Sequence, residues 1–332
     1  MGNASAMPRR SFARKLLIAL VLAVLLLGAV AWIGMRVIER HIAGLLGPRA
    51  QVGEVRLGFD AVVLTDVKIT GAEGVAPASA RRVVAEPDWG SLLRRQPVFH
   101  KITIEGFDFA VLRAPDGDMQ ISPALQAALR EADGDGGQAR ARGPVRADDI
   151  ILDGGRLDFI DSAIAKPPHR IPFENVSARL HPLVLPADGQ QSQMEFKGSV
   201  RDNRSGAATV QARGSLEVGG SDADMTVAVR NMDIRYAAPY LAENGAGSLA
   251  GGAMDLDMRT TIAKRQLNAS GVVALHDLKF SGDGSLFSLP RKAVLAALED
   301  RKGTLRMEFK LAGSLEIRSS RDRKSTRLNS SH

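Results

Sequence analysis

Five aspartates crowd one short stretch: Asp148, Asp149, Asp153, Asp158 and Asp161. Paired carboxylates are the working groups of glycoside hydrolysis, and clusters of them hold calcium. Either chemistry needs at least two of the five to converge in one pocket. The strand-like run GGRLDFID among them instead predicts turn and water-facing positions. The DGDGG run at 133–137 is similar to a calcium-turn fragment, but no repeat follows it, so it reads as loop. Six histidines are present, His41, His100, His169, His181, His276 and His332. None has HExxH or HxxxH spacing, and loop or water-facing places are expected for them. There is no GxSxG elbow and no phosphate-cradling loop. Gly282 and Gly284 lack the third glycine of a dinucleotide fingerprint and do not open a βαβ unit, so they mark a turn. The absence of cysteine excludes disulfides and thiolate ligands. These residues supply no catalytic set, no metal set and no cofactor motif, and a non-enzymatic protein is expected.

The elements that would position any site begin with a charge map. The formal net charge is +7 over 332 residues, which invites a nucleic-acid reading. Residues 1–36 hold Arg9, Arg10, Arg14, Lys15 and Arg36 with no acid, and residues 322–332 carry a further net +2. Residues 37–321 therefore balance, with 36 basic and 36 acidic side chains. No basic footprint remains to track phosphates, and no nucleic acid is expected as a partner.

Leu16 to Met35 is a run of 20 residues without a charge. At about 1.5 Å rise per residue it spans about 30 Å, the thickness of a bilayer core. The basic residues before it predict a cytoplasmic N-terminus at 1–15, an anchor at 16–35 and export of the rest. Ala29-Val30-Ala31 has the small-x-small pattern of a signal-peptidase site, so a cleaved signal peptide is the rival reading. The last eleven residues, DRKSTRLNSSH, resemble a translated sequencing adapter. Residues 322–332 are set aside as non-native, and the native chain is expected to continue past Arg321.

Between these ends the pattern is that of strands. In TLRMEFKL, Leu305, Met307, Phe309 and Leu311 share one side, and Thr304, Arg306, Glu308 and Lys310 the other. Met194 and Phe196, Met225 and Val227, and Met254, Leu256 and Met258 alternate with polar neighbours in the same way. About sixteen such strands and no βαβ rhythm predict a mostly β fold with a long, curled, largely antiparallel sheet. Three short helices interrupt it. Ser122-Pro123 reads as an N-cap followed by proline at the first helical position, and the others fall near Ala237–Glu243 and Pro290–Asp300. Residues 132–147 read as a mobile loop inside a domain spanning 36–321. Three short helices cannot cover so large a sheet, so part of its apolar face is expected to stay open. Five strand methionines fit either a surface for variable apolar ligands or the gaps of an ordinary core.

Several stretches resemble the AsmA-like family of Gram-negative envelope proteins, in its domain-of-unknown-function branch. WGSLLRRQPVFHKITIEGFDFAVLRAPDGDMQIS, GGRLDFIDSAIAKPPHRIPFENVSARL, MDIRYAAPYLAENGAGSLAGGAMDLDM and LPRKAVLAALEDRKGTLRMEFKLAGSL resemble its segments in order, and together cover most of residues 50–315. The resemblance implies an inner-membrane anchor, a periplasmic β-rich domain with an apolar groove, and a part in outer-membrane biogenesis or phospholipid transport. It supplies no catalytic residues. It departs at Leu315, where Glu316-Ile317-Arg318 stands in place of the family's Asp-Pro. The candidate groove residues are then Met194, Phe196, Met225, Val227, Met254, Leu256, Met258, Leu305, Met307, Phe309 and Leu311. The expected partners are a phospholipid or another acyl-chain lipid, the inner membrane, and a further envelope protein. The alternative function is a non-lipid assembly scaffold.

Overall fold

The computed structural model describes residues 49–314, apart from 72–75, 94–95, 117–118, 133–144, 186–188, 202–203, 219–221, 242–248, 281–284, 287–288 and 291–302. The expected anchor, the 322–332 tail, the DGDGG run and most of the third expected helix lie outside the described residues. No helix among the described residues is long and apolar enough to cross a membrane.

One sheet of fifteen strands dominates. The first half holds β1 (Ala50–Gln51), β2 (Glu54–Leu57), β3 (Val62–Ile69), β4 (Ala78–Pro87), β5 (Val98–Arg113), β6 (Met119–Ile121), β7 (Val145–Asp161), β8 (His169–His181) and β9 (Leu183–Leu185). The second half holds β10 (Gln191–Val200), β11 (Ala208–Glu217), β12 (Ala223–Asp233), β13 (Leu249–Ala263), β14 (Gln266–Phe280) and β17 (Thr304–Ser314). A separate pair, β15 (Ser285–Leu286) and β16 (Leu289–Pro290), stands outside it. The helices are α1 (Trp89–Leu93), α2 (Pro123–Ala132) and α3 (Ile234–Leu241).

The main path runs β1-β3-β4-β5-β7-β8-β10-β11-β12-β13-β14-β17. Its neighbours pair antiparallel except β5 and β7, which are parallel, so the sheet is mixed. The parallel step requires a crossover, and the chain makes it through β6 and α2. Proline does open α2, as expected, but Ser122 does not cap it. Ser122 lies in the left-handed region at φ 47°, and its buried hydroxyl has no partner. Of the loop expected at 132–147, Ala132 belongs to α2 and Val145–Ala147 begin β7 against β9, and the residues between them lie outside the described ones. Pro290 pairs with Ser285 instead of opening a helix.

The apolar phase slips by one residue in the first-half strands, and it slips at one level. Dry positions run Leu64 then Val67 on β3, Val83 then Ala80 on β4, and Ile104 then Phe107 on β5. They run Leu152 then Leu157 on β7, and Ala178 then Phe173 on β8. Left-handed residues sit at the slip on four of these strands: Asp66, Gly106, Gly154 and Asn175. The register of β3 with β4, β4 with β5 and β5 with β7 is unchanged across this level, and among these five strands it shifts there only between β7 and β8. A left-handed residue turns the strand and resets which side chains face the core, so kinks at matching positions keep one face apolar along strands too long for simple alternation.

Candidate functional site

Register, followed strand by strand, assembles a single apolar ladder. Leu64 pairs with Val83, Val83 with Ile104, Ile104 with Leu152, and Leu152 with Ala178. Ala178 pairs with Phe196, Phe196 with Ala212, Ala212 with Val227, and Val227 with Met258. Met258 pairs with Gly271, and Gly271 with Phe309. At about 4.8 Å per strand the ladder is about 48 Å long. It contains no polar residue, and every one of its positions is half-buried. A second ladder runs beside it, from Val62 through Ile102, Ile150, Leu180, Met194 and Met225 to Leu311, with Thr260 its one polar side chain.

Burial falls from one strand end to the other. In the C-terminal half, Val200, Ala208, Met254, Leu275 and Leu305 are buried, in one cluster with Ile234 and Ala237 of α3. Met307 and Phe309 are half-buried, and Leu311 is 55% exposed. All eleven residues expected to line a groove therefore fall on one face, but at different depths. Met225, Met254 and Leu305 are buried; Met194, Phe196, Val227, Leu256, Met258, Met307 and Phe309 are half-buried. The buried three sit in the core, so the half-buried seven and Leu311 carry the open surface. Reasoning from sequence missed the first-half continuation through Leu64, Val83, Ile104 and Leu152, because the phase slip breaks its period. It also missed the glycines that seat aromatic rings. The Phe309 ring lies across Gly271, where a Cβ would come within 2.9 Å of it. The Phe107 ring lies across Gly155, where a Cβ would come within 2.3 Å of it.

Helix α3 covers one end of this face and is fixed there by polar contacts. Asp233 is its N-cap, accepting the Arg235 N–H at 3.0 Å. The Tyr236 hydroxyl donates to the Arg201 carbonyl at 3.1 Å. His169 Nε2 stands 2.9 Å from the Tyr236 carbonyl and must donate to it, so it carries a hydrogen. The Tyr240 hydroxyl donates to Asp161 at 3.2 Å. Asp161 is fully buried and also accepts from the Ala163 N–H at 2.9 Å and from Arg113 at 3.2 Å. Burial alone would raise the Asp161 pKa, but these three donors together hold it below the usual value. Burial and Asp161 push the Tyr240 phenol well upward.

The opposite face is charged and paired across strands. Arg82 meets Glu105, Arg156 meets Asp108, Arg179 meets Asp149, Arg259 meets Asp224 and Arg230 meets Asp257. The five candidate carboxylates do not form a pocket. They lie along the single strand β7, and Asp148 to Asp161 spans about 43 Å of it at about 3.3 Å per residue. Asp148 pairs with Arg146, Asp149 with Arg179, Asp158 with both Arg170 and Arg201, and Asp161 with Arg113. Hydrogen bonds from Arg146 and Arg179 hold Asp148 and Asp149 below the ordinary carboxylate range. Among the described residues, no three of His, Asp and Glu converge as a metal ion would need. The expectation of water-facing histidines fails for His169, which packs edge-on against Tyr240.

No family profile, curated protein or solved structure matches this chain.

Proposed function

We propose that this chain is an inner-membrane-anchored periplasmic protein that holds acyl chains against its apolar sheet face, in outer-membrane biogenesis or phospholipid transport between membranes. The observation that carries the reading is the ladder from Leu64 to Phe309, apolar at every position and partly exposed at every position. Monomeric proteins seldom leave so long an apolar patch open without a ligand or partner for it. An acyl chain fills half of a bilayer core, about 15 Å, so about 48 Å of ladder has room for more than one. The partly exposed methionines Met194, Met258 and Met307 suit ligands of variable shape. The anchor at 16–35 and the resemblance to AsmA-like proteins supply the compartment in this reading.

The site binds and does no chemistry in this account. The paired, dispersed carboxylates of β7 weigh against a hydrolase, which needs two of them in one pocket. A second reading, an assembly scaffold for another envelope protein, is favoured by β17. Among the described residues, this eleven-residue strand pairs on one side only, and open edges accept strands from partners. Native mass spectrometry of the full chain released from detergent separates the two. Retained phospholipid masses support lipid carriage. A stoichiometric protein partner with no lipid supports the scaffold and removes the proposal.

A further inference from the structure

Two aromatic side chains stand out from the rim of the sheet. Phe59 is 97% exposed at the tip of the β2–β3 connection, and Trp89 is 39% exposed at the start of α1. They are joined, because the Trp89 indole N–H donates to the Phe59 carbonyl. Local hydrogen bonds hold both outward. The Gly58 N–H donates to the Ala61 carbonyl at 2.8 Å and closes the turn beneath Phe59. The Gly90 N–H donates to Asp88 Oδ1 at 2.9 Å and fixes the start of α1.

We propose that this Phe59–Trp89 corner is a membrane contact, inserted into the interface of the bilayer that carries the anchor. Three observations point to a lipid surface. First, the one strong donor of the pair is already satisfied by the backbone carbonyl beside it. The indole can therefore enter a low-dielectric layer with its N–H partnered, avoiding a cost that otherwise amounts to several kcal/mol. Second, Trp and Phe at such a tip belong to the residue types that favour membrane interfaces. Third, the tether is short. The described chain begins at Arg49, and the expected anchor ends at Met35. The 14 steps between them reach at most about 50 Å even when fully extended, which bounds how far the first strands can lie from the anchor.

Docking here would also orient the sheet. Phe59 and Trp89 flank the start of β3 and the end of β4, and the ladder that begins at Val62 ends at Leu311. They share the strand-end rim on which Leu311 is open, opposite to the ends covered by α2 and α3. The inference uses the anchor of the proposed function but not its acyl-binding ladder.

The test uses the full chain in nanodiscs, with Trp32→Phe leaving Trp89 as the only tryptophan. Lipids carrying bromine on the acyl chains quench indole on contact. Trp89 emission is expected to shift to the blue and to lose much of its intensity in brominated discs. Phe59→Asp is expected to restore a water-exposed, unquenched spectrum. Phe59 is almost fully exposed, so the circular dichroism melt of that variant should match its parent, and Phe59→Ser provides a milder second substitution. Unquenched Trp89 in the parent protein overturns the proposal, and so does quenching that neither substitution relieves. Lipid retention by the ladder is measured separately and can succeed or fail without changing this result.

Discussion

At the scale of single residues, the buried carboxylates set the response to acid. Asp161 and Asp233 are both buried, and in both the hydrogen-bond donors outweigh the burial penalty and depress the pKa. A carboxylate with a depressed folded-state pKa contributes stability that is present above its unfolded value, near 3.8, and lost as pH falls through the folded value. Thermal melts of the full chain between pH 7 and pH 2.5 should therefore fall steeply below about pH 4. Asp161→Asn and Asp233→Asn should flatten that fall while lowering the melting temperature at pH 7. The loss at pH 7 should be about 1.5–3 kcal/mol for Asp161, whose partners Arg113 and Tyr240 are left with a weaker acceptor. An unchanged acid slope in both variants would mean that neither carboxylate is held as described. Of these residues only Asp161 stood out in the sequence, and there as a turn or water-facing carboxylate, whereas the fold buries it completely. Nothing in the spacing of Asp161 and Tyr240, 79 positions apart, announced that α3 would bring them together.

At the scale of elements, glycines and turns decide how closely strands approach. A Cβ on Gly155 would lie 2.3 Å from the Phe107 ring, which is itself almost fully buried. Gly155→Ala should cost about 1–3 kcal/mol through forced repacking. Gly313→Ala meets open space and should leave the melt unchanged. The β13–β14 hairpin turns through Lys264 and Arg265, both left-handed at φ 49° and 64°. Two-residue hairpin turns of this kind favour Asn-Gly, so Lys264→Asn with Arg265→Gly should raise stability by about 1 kcal/mol. Chemical denaturation checks both. The strands of the second half were legible in the sequence because β10, β13 and β17 alternate over most of their length. The first half was less so, since each of β3, β4, β5, β7 and β8 changes phase part-way along. Asp66, Gly106, Gly154 and Asn175 were the visible signs of this, as residues that tolerate left-handed backbone inside apolar runs. The parallel pairing of β5 with β7 had no local sign, because register across a crossover is a tertiary choice.

At the scale of the whole molecule, a gradient of burial separates structure from proposed function. Leu275 is fully buried, and Leu275→Ala should cost about 2–5 kcal/mol whatever the protein does. Leu311 is half-exposed on the same face, and Leu311→Asp should move stability by no more than about 0.5 kcal/mol while reducing lipid retention. The wet-and-dry division of β17 was readable from TLRMEFKL alone, whereas its depth was not, because depth depends on tertiary packing over the sheet. The central claim is that the Leu64–Phe309 ladder holds acyl chains. The most direct test places a photocrosslinking side chain at Phe309 in the full-length protein within its membrane, with Lys310 on the opposite face as control. The account predicts that the probe at Phe309 captures phospholipid and the probe at Lys310 does not. Capture of no lipid at Phe309, or equal capture at both positions, would contradict it.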